Sequence, residues 1–449
     1  MKNKLYCGAA KGKITPPEDL LPNLRGLMDR HFGPVIDDLY LRVIALKNGE
    51  DSALLVTFDL DKVPCPERYL EALTEAIDVP EESILLAAIH THTAPIAGMR
   101  PNEGPNNIAA KPAEVQAATH QYEEFIQKVL IVAAKEAVSK MVPAKMGLGK
   151  GKSYIGVDRK QFYETEIGGA VHRKYGIGAN PESPIDRTVY VLRFEDFTGK
   201  PIAFFINFPV HCCVLNGHTV FGGKLGISGD IAGNVCRWNE ENYPDAVTLW
   251  SSGAAGDINP VVMYEMGYPD PMTGRMKGGK VEGDHTEILT CISAMHYDDI
   301  KKVNRTITCD QTDVKLGGLA EMSETPGKRE PFKIRLHMMR LGEIFFLGAS
   351  GELYDVFAKS IRKRIAAREL IVVNHDASLM GDGGYIADDE TLLQPRPMLP
   401  GVGHTNQQPG FFMRSLFEHT ASMYEKLDAR AIDNDQGPKG PDQKRMGLM

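Results

Sequence analysis

Apolar residues recur along the chain in short blocks, and most blocks run into a polar cluster. Blocks of this length bounded by turn formers have the signature of buried strands. They predict strands over residues 6–14, 35–47, 52–58, 84–89, 145–151, 188–194, 201–210, 247–250, 332–341, 344–347 and 370–373. Asn48-Gly49 is a hairpin turn signal, and Gly342 marks a second hairpin. Apolar positions at helical spacing predict helices over 66–77, with Pro66 near its start, and over 113–141, 283–295 and 411–427. A further helix to about residue 242 can be capped by Ser228 or Asp230. Another opens at Gly351-Glu352, with Leu353, Val356, Phe357, Ile361 and Ile365 on one face. The stretch between 151 and 188 is polar and glycine-rich and reads as a connection. The proline-rich stretches 265–284 and 387–410 read as polar lids. Residues 429–449 are polar and poor in aliphatic side chains, and are expected to be a disordered tail.

Hairpins alternate with strand–loop–helix units, and neither repeats nor a linker divide the chain. This order predicts one α/β domain over residues 1–428, with a mixed β-sheet core covered by α-helices. Sites in open α/β sheets lie at strand ends. Asp59, the His90/His92 pair, His211, Gly256-Asp257, Glu352 and His375 all follow apolar strands, so these clusters can converge.

The stretch 83–95 carries the main chemical signal. An apolar run, too short to span a bilayer, enters His90-Thr91-His92. On a strand, residues two apart share a face, so both imidazoles are expected to point the same way and to suit one cation. Taken alone they read equally as surface histidines at a strand end. Each other candidate has an ordinary reading too. His211 can be a satisfied buried histidine, and Glu352 a carboxylate favoured at a helix N-terminus. Asp230 and Asp257 can be cap or loop residues, and Cys212-Cys213 small core residues.

Composition narrows the class. Of 449 residues, 43% are hydrophobic and 24% charged, as in ordinary globular proteins. The net charge of -8 gives no general footprint for nucleic acid or an acidic membrane surface. Basic residues near the N-terminus have no apolar run behind them, so no signal peptide and no membrane anchor are read. The seven cysteines are scattered and contain no CxxC pair. That argues against disulfides and cysteine-based zinc sites, and for a reducing, cytoplasmic location.

Several segments together resemble the catalytic domain of neutral (non-lysosomal) ceramidases. They are Ala-Ile-His-Thr-His-Thr-Ala-Pro at 88–95, Ile-Asn-Phe-Pro-Val-His at 206–211, Ile-Ser-Gly-Asp-Ile-Ala-Gly at 227–233, Ala-Gly-Asp-Ile-Asn-Pro at 255–260, Gly-Glu at 351–352 and Gly-Tyr-Ile-Ala at 384–387. The resemblance implies a zinc site made by His90, His211, Glu352 and Tyr385, with His92 contacting substrate and Arg159 helping to bind the reacting amide. Asn259 stands where the family has a serine close to the zinc. Asparagine cannot form an acyl-enzyme, but it can hydrogen-bond a carbonyl or an oxyanion. The family's substrate-shaping stretch after the tyrosine is replaced by Gln394-Pro395-Arg396-Pro397, and its C-terminal immunoglobulin-like domain has no counterpart here. A membrane-embedded lipid substrate is therefore not expected.

The resulting expectation is a zinc-dependent hydrolase with a ceramidase-like domain and one zinc ion (Zn2+) per chain, although manganese or iron would suit the same donors. It would cleave a carboxamide in a small polar molecule through a metal-activated water. His92 and Arg159 would stabilise the oxyanion, Asn259 would position the substrate, and Asp230 or Asp257 would orient a histidine ligand. An ester or lactone makes the same electrostatic demands. An inert metal-binding homologue is the alternative that Asn259 raises. An amidohydrolase barrel, whose His-x-His ends its first strand, is disfavoured because strands and a hairpin precede residue 84. The expected partner is a small-molecule substrate, with a homo-oligomer possible.

Overall fold

Strands that read as continuous apolar runs are buried on both faces, and here two sheets stack with helices outside them. The structure is a computed structural model and describes residues 4–433, apart from 101–102, 217–218, 222–223, 264, 271, 273–275, 281–284, 366–368, 394–405 and 411. The larger sheet has eight strands in the order Val247–Ser252, Pro201–Phe208, Thr188–Asp196, Val142–Lys152, Leu5–Lys13, Tyr40–Asn48, Asp51–Phe58, Ile84–Ala88. It is mixed: the outermost pair at each edge is parallel and the inner pairs are antiparallel. Its two halves are joined by the short antiparallel ladder of Tyr6 and Cys7 with Pro143 and Val142. The smaller sheet runs Leu316–Thr325, Phe332–Leu341, Ile344–Ala349, Glu369–Val373, with its last pair parallel.

Alternating side chains separate the layers. Ile44, Leu46 and Leu55 of the larger sheet meet Met339, Phe346 and Ile371 of the smaller one. Phe205 and Phe346 touch edge to face across the gap, with ring centroids 5.2 Å apart. On the outer face, Val43, Ala45 and Val56 pack against helices Pro66–Ala76 and Ala113–Ser139. Phe204, Ile206 and Phe208 pack against helices Asp230–Asn242 and His285–Asn304. Phe345 and Leu347 of the smaller sheet pack against helices Asp355–Arg364 and Phe412–Asp433. The α/β class with a mixed sheet covered by helices is therefore observed, in a four-layer arrangement with a second sheet stacked on the first.

Local differences from the sequence reading have physical reasons. The polar stretch after residue 151 is a long hairpin, Gly156–Ile167 with Ala170–Asn180, turning at Gly168-Gly169 with φ of 61° and 77°. It lacks the apolar alternation that marks a half-buried strand, and its base is secured by pairing with Ile258–Pro260. The expected strand 35–47 breaks into Phe32–Val35 and Tyr40–Asn48, because the Asp37 carboxylate turns away to accept hydrogen bonds from Ser228 Oγ (2.5 Å) and the Gly229 N–H (2.8 Å). Strand Leu316–Thr325 was not anticipated; its Gly317-Gly318 hides it, yet a Cβ at Gly318 would stand 1.4 Å from the Glu82 carbonyl oxygen. Part of the first lid, Glu265–Pro269 with Met276–Lys280, is a β-hairpin, while Gln394-Pro395-Arg396-Pro397 lies outside the described residues. The final helix continues to Asp433, past the expected boundary at 428; the rest of the tail lies outside the described residues. No helix among the described residues is long and apolar enough to cross a membrane.

One buried histidine gives the fold a titratable signature. His296 Nε2 accepts the Trp250 indole N–H at 3.3 Å, and its Nδ1 lies 3.0 Å from Ser153 Oγ. Burial holds its pKa down at about 3. A depressed histidine contributes stability that is fully present above its unfolded pKa of ~6.5 and is lost as pH falls from there toward the folded value. His296→Gln keeps an acceptor for Trp250 but does not titrate. Its urea-unfolding free energy is expected to fall less steeply between about pH 6 and 4, by ~1.4 kcal/mol per pH unit. Equal slopes would mean that the folded chain carries His296 charged.

Candidate metal centre

Five donor side chains converge beyond four strand ends. His90 and His92 follow strand Ile84–Ala88, His211 follows Pro201–Phe208, Glu352 follows Ile344–Ala349 and His375 follows Glu369–Val373. Backbone bridges draw these ends together. Thr91 pairs with Cys212 in a parallel bridge, and the His92 N–H donates to the Cys212 carbonyl at 3.1 Å. Ala87 pairs with Asp376, and the Ala88 N–H donates to the His375 carbonyl at 3.3 Å. Glu352-Leu353 pairs in parallel with Tyr385-Ile386. The Asn374 side chain clamps Leu353, accepting its N–H at 3.1 Å and donating to its carbonyl at 3.2 Å.

Two local expectations are corrected here. The strand ends at Ala88 and His90 has φ of 63°, so a turn rather than strand alternation brings the rings of His90 and His92 together. Glu352 sits in a two-residue strand, and the helix starts only at Asp355, so no helix N-terminus accounts for that carboxylate.

The donors face one another at short range. Glu352 Oε2 lies 3.4 Å from His90 Nε2 and 3.2 Å from His211 Nε2, and the Nε2 atoms of His90 and His92 are 3.2 Å apart. Two ligands ~2.1 Å from one tetrahedral ion stand ~3.4 Å apart. His90, His92 and His211, and likewise His90, Glu352 and His375, each offer donor atoms within 4.8 Å of one another. Among the described residues, His211 Nε2, Glu352 Oε2 and His375 Nδ1 are buried without a hydrogen-bond partner. Such groups are rare unless something else satisfies them, so the residues present fit a divalent cation.

Outer contacts aim the rings. His90 Nδ1 meets Asp61 Oδ1 at 2.9 Å, and Asp61 Oδ2 is held by Arg100 Nη1 at 2.6 Å. His211 Nδ1 donates to the Ile258 carbonyl at 2.9 Å. Each contact commits Nδ1 and leaves Nε2 as the inward donor. Asp230 and Asp257, expected in this role, act elsewhere. Asp230 accepts the N–H groups of Val214, Leu215 and Ile231, while Asp257 pairs with Lys160 Nζ at 2.5 Å and accepts the Asp355 N–H at 2.8 Å. Asp59 has both oxygens on Arg42, at 2.8 and 2.9 Å, whereas Asp61 gives Oδ2 to Arg100 and keeps Oδ1 for His90.

Electrostatics polarise the cluster. Burial favours a neutral His90, yet the Glu352 and Asp61 carboxylates outweigh it and raise the pKa to about 10. Burial, then the charge of His90, pushes His92 down to about 3. Burial, then Arg159, pushes His211 down to about 4. Burial works against ionised Glu352, but the neighbouring histidines hold its carboxyl well below the usual range.

A second wall adjoins the donors. Arg159 lies on the unanticipated hairpin, buried, with its guanidinium hydrogen-bonded to the Gly256 carbonyl and 4.7 Å above the Tyr385 ring. Its Nη1 reaches Asn259 Oδ1 at 3.5 Å, and its Nε has no hydrogen-bond partner. Asn259 Nδ2 points to Met263 Sδ at 3.0 Å. The Tyr385 ring centroid is 6.3 Å from that of His211. His90, His92, His211, Glu352, Tyr385, Arg159 and Asn259, seven of the residues anticipated from sequence, thus border one region. His375 was expected among the converging strand ends but was given no role, and Asp61 was missed, although it closes Asp59-Leu60-Asp61. Two cavities, of 710 and 500 Å³, lie away from this region; charges such as Lys11 and Glu240, paired at 2.5 Å, line the first, and Asp37, Asp38 and Arg42 line the second.

No protein family and no curated protein matches the sequence. The fold does have solved counterparts. It is the fold of neutral ceramidase. The neutral ceramidase from Pseudomonas aeruginosa superposes with a TM-score of 0.70 over 96% of this chain and 75% of that one, at 14% identity. A structure of ceramidase complexed with C2 matches at the same TM-score and identity, over 96% and 76% of the two chains. At this identity the likeness to neutral ceramidase establishes architecture, and the chemistry must be argued from this chain's own residues.

Proposed function

We propose that the protein is a zinc-dependent hydrolase that cleaves a carboxamide bond in a small polar substrate. The observation that carries this reading is the buried convergence of His90 Nε2, His211 Nε2 and Glu352 Oε2, two of them without a hydrogen-bond partner, beside a fixed guanidinium. His90, His211 and Glu352 would hold the ion, with Tyr385 as the further donor that the resemblance to neutral ceramidases implies. Zinc in such a site supplies Lewis acidity, polarising a carbonyl and drawing the pKa of water from ~15.7 toward ~7.

The chain's own residues do the rest. Burial disfavours a charged His92, which suits it to give a hydrogen bond to a carbonyl oxygen without carrying charge into the ground state. Arg159 is held by Gly256 and Asn259, and its unengaged Nε–H is a preorganised donor toward developing negative charge. Asn259, in the place of the family's serine, supports Arg159 through Oδ1 and offers no acyl-accepting oxygen. The support for an amide over a lipid amide is the polar character of the wall formed by Arg159, Asn259 and Tyr385.

The test is hydrolysis of short N-acyl amino acids by zinc-loaded protein, with matched esters and lactones alongside. Amine release that stops on chelation and returns with zinc is the expected result. Turnover of esters alone would make the protein an esterase or lactonase. Metal-loaded protein that turns over none of them would favour an inert metal-binding role.

A further inference from the structure

His375 belongs to the same cluster but is arranged unlike the other rings. Its ring lies flat on His90, with centroids 4.0 Å apart and planes 17° apart. The His90 contacts with His92 and His211 are edge-on, at 87° and 66°. A ligand's lone pair lies in its ring plane. Planes 17° apart at this spacing intersect on the order of 10 Å away, whereas a zinc-bound nitrogen sits ~2.1 Å from its ion. His90 and His375 therefore cannot both aim at one ion.

We infer that His375 is a positioning residue whose ring fixes the angle at which His90 presents Nε2. Both contacts from Asp61, through Oδ1 and through its carbonyl oxygen, fall on Nδ1 and leave the ring able to swing about that atom. A ring lying on its face removes that freedom. His375 is rigid enough to do this: it is 1% exposed, its N–H donates to the Gly351 carbonyl at 3.2 Å, and its carbonyl accepts from Ser378 Oγ at 2.9 Å as well as from Ala88. The residue type also fits the backbone. His375 has φ of 60°, and histidine is among the few residues enriched in that left-handed region. A flat ring on a left-handed residue thus favours histidine even where it binds no ion.

This inference rests on the proposed function in so far as His90 is a metal ligand. The experiment measures zinc affinity by chelator competition and the visible absorption of the cobalt-substituted protein, in wild type, His375→Asn and His375→Phe. Asparagine tolerates the left-handed backbone but has no ring; phenylalanine keeps a ring that cannot ligate. His375→Asn is expected to weaken zinc binding by about 10–100-fold, the usual effect of losing an outer support. It should also alter the cobalt spectrum. His375→Phe should recover most of the affinity and the spectrum that His375→Asn loses, less the strain of a phenylalanine at φ of 60°, which thermal unfolding of each metal-free chain reports. Equal loss in both variants would make His375 a ligand, and no loss in either would give it no part in the centre; both results overturn the inference. A wild-type chain that binds no zinc overturns the hydrolase reading along with it, whereas indifferent variants of a zinc-binding chain overturn this inference alone.

Discussion

Glu352→Ala is expected to abolish stoichiometric zinc binding and, with it, activity. Glu352 Oε2 faces both His90 Nε2 and His211 Nε2, at 3.4 and 3.2 Å, and brings a negative charge that offsets the cation. Complete zinc sites are worth ~10–16 kcal/mol, so one donor of four carries on the order of 3–4 kcal/mol, or roughly two to three orders of magnitude in affinity. His211→Ala should do the same. Elemental analysis of protein purified without added metal is the check: about one zinc per wild-type chain and little in either variant. The metal-free variants should stay folded, because the layers around Phe205 and Phe346 lie apart from the site. Wild-type protein that remains metal-free after zinc is supplied would remove the basis of the hydrolase reading.

Arg159→Met has the second largest expected effect and separates catalysis from metal binding. The guanidinium contacts Gly256 and Asn259 and meets the donor set at the Tyr385 ring, while among the described residues it makes no hydrogen bond or ion pair to His90, His211 or Glu352. Zinc content should therefore be unchanged. Removing one preorganised donor to a developing oxyanion typically costs 10²–10³ in kcat, or about 2.7–4 kcal/mol. Arg159→Lys should recover only part of this, since an ammonium cannot span Gly256 and Asn259 as a planar fork does. Loss of zinc together with activity would instead assign Arg159 to the architecture of the centre.

The histidine pair, His211 and Glu352 could be picked out of the sequence because each ends an apolar strand, and strand ends are where an α/β sheet gathers its chemistry. Arg159 could be named only through the resemblance to ceramidases, since its hairpin is polar along its length and shows no periodicity. Asp61 escaped, and His375 was placed at a converging strand end without a role, for a different reason. Their importance lies in what they face, and neither a carboxylate two residues after Asp59 nor a lone strand-end histidine announces its partner.

What the sequence by itself determined is the set of elements and the residue types at their ends. Continuous apolar runs can be satisfied only by burial on both faces, and that alone calls for layered sheets under helices. Tertiary structure decided the rest. The bridges Thr91–Cys212 and Ala87–Asp376 bring together strand ends far apart in sequence, and left-handed turns at His90 and His375 set their rings. Donor distances, the choice of Asp61 over Asp230 and Asp257, and the flat stacking of His375 all follow from that convergence. They depend on relative positions in space, which local propensity and periodicity do not encode.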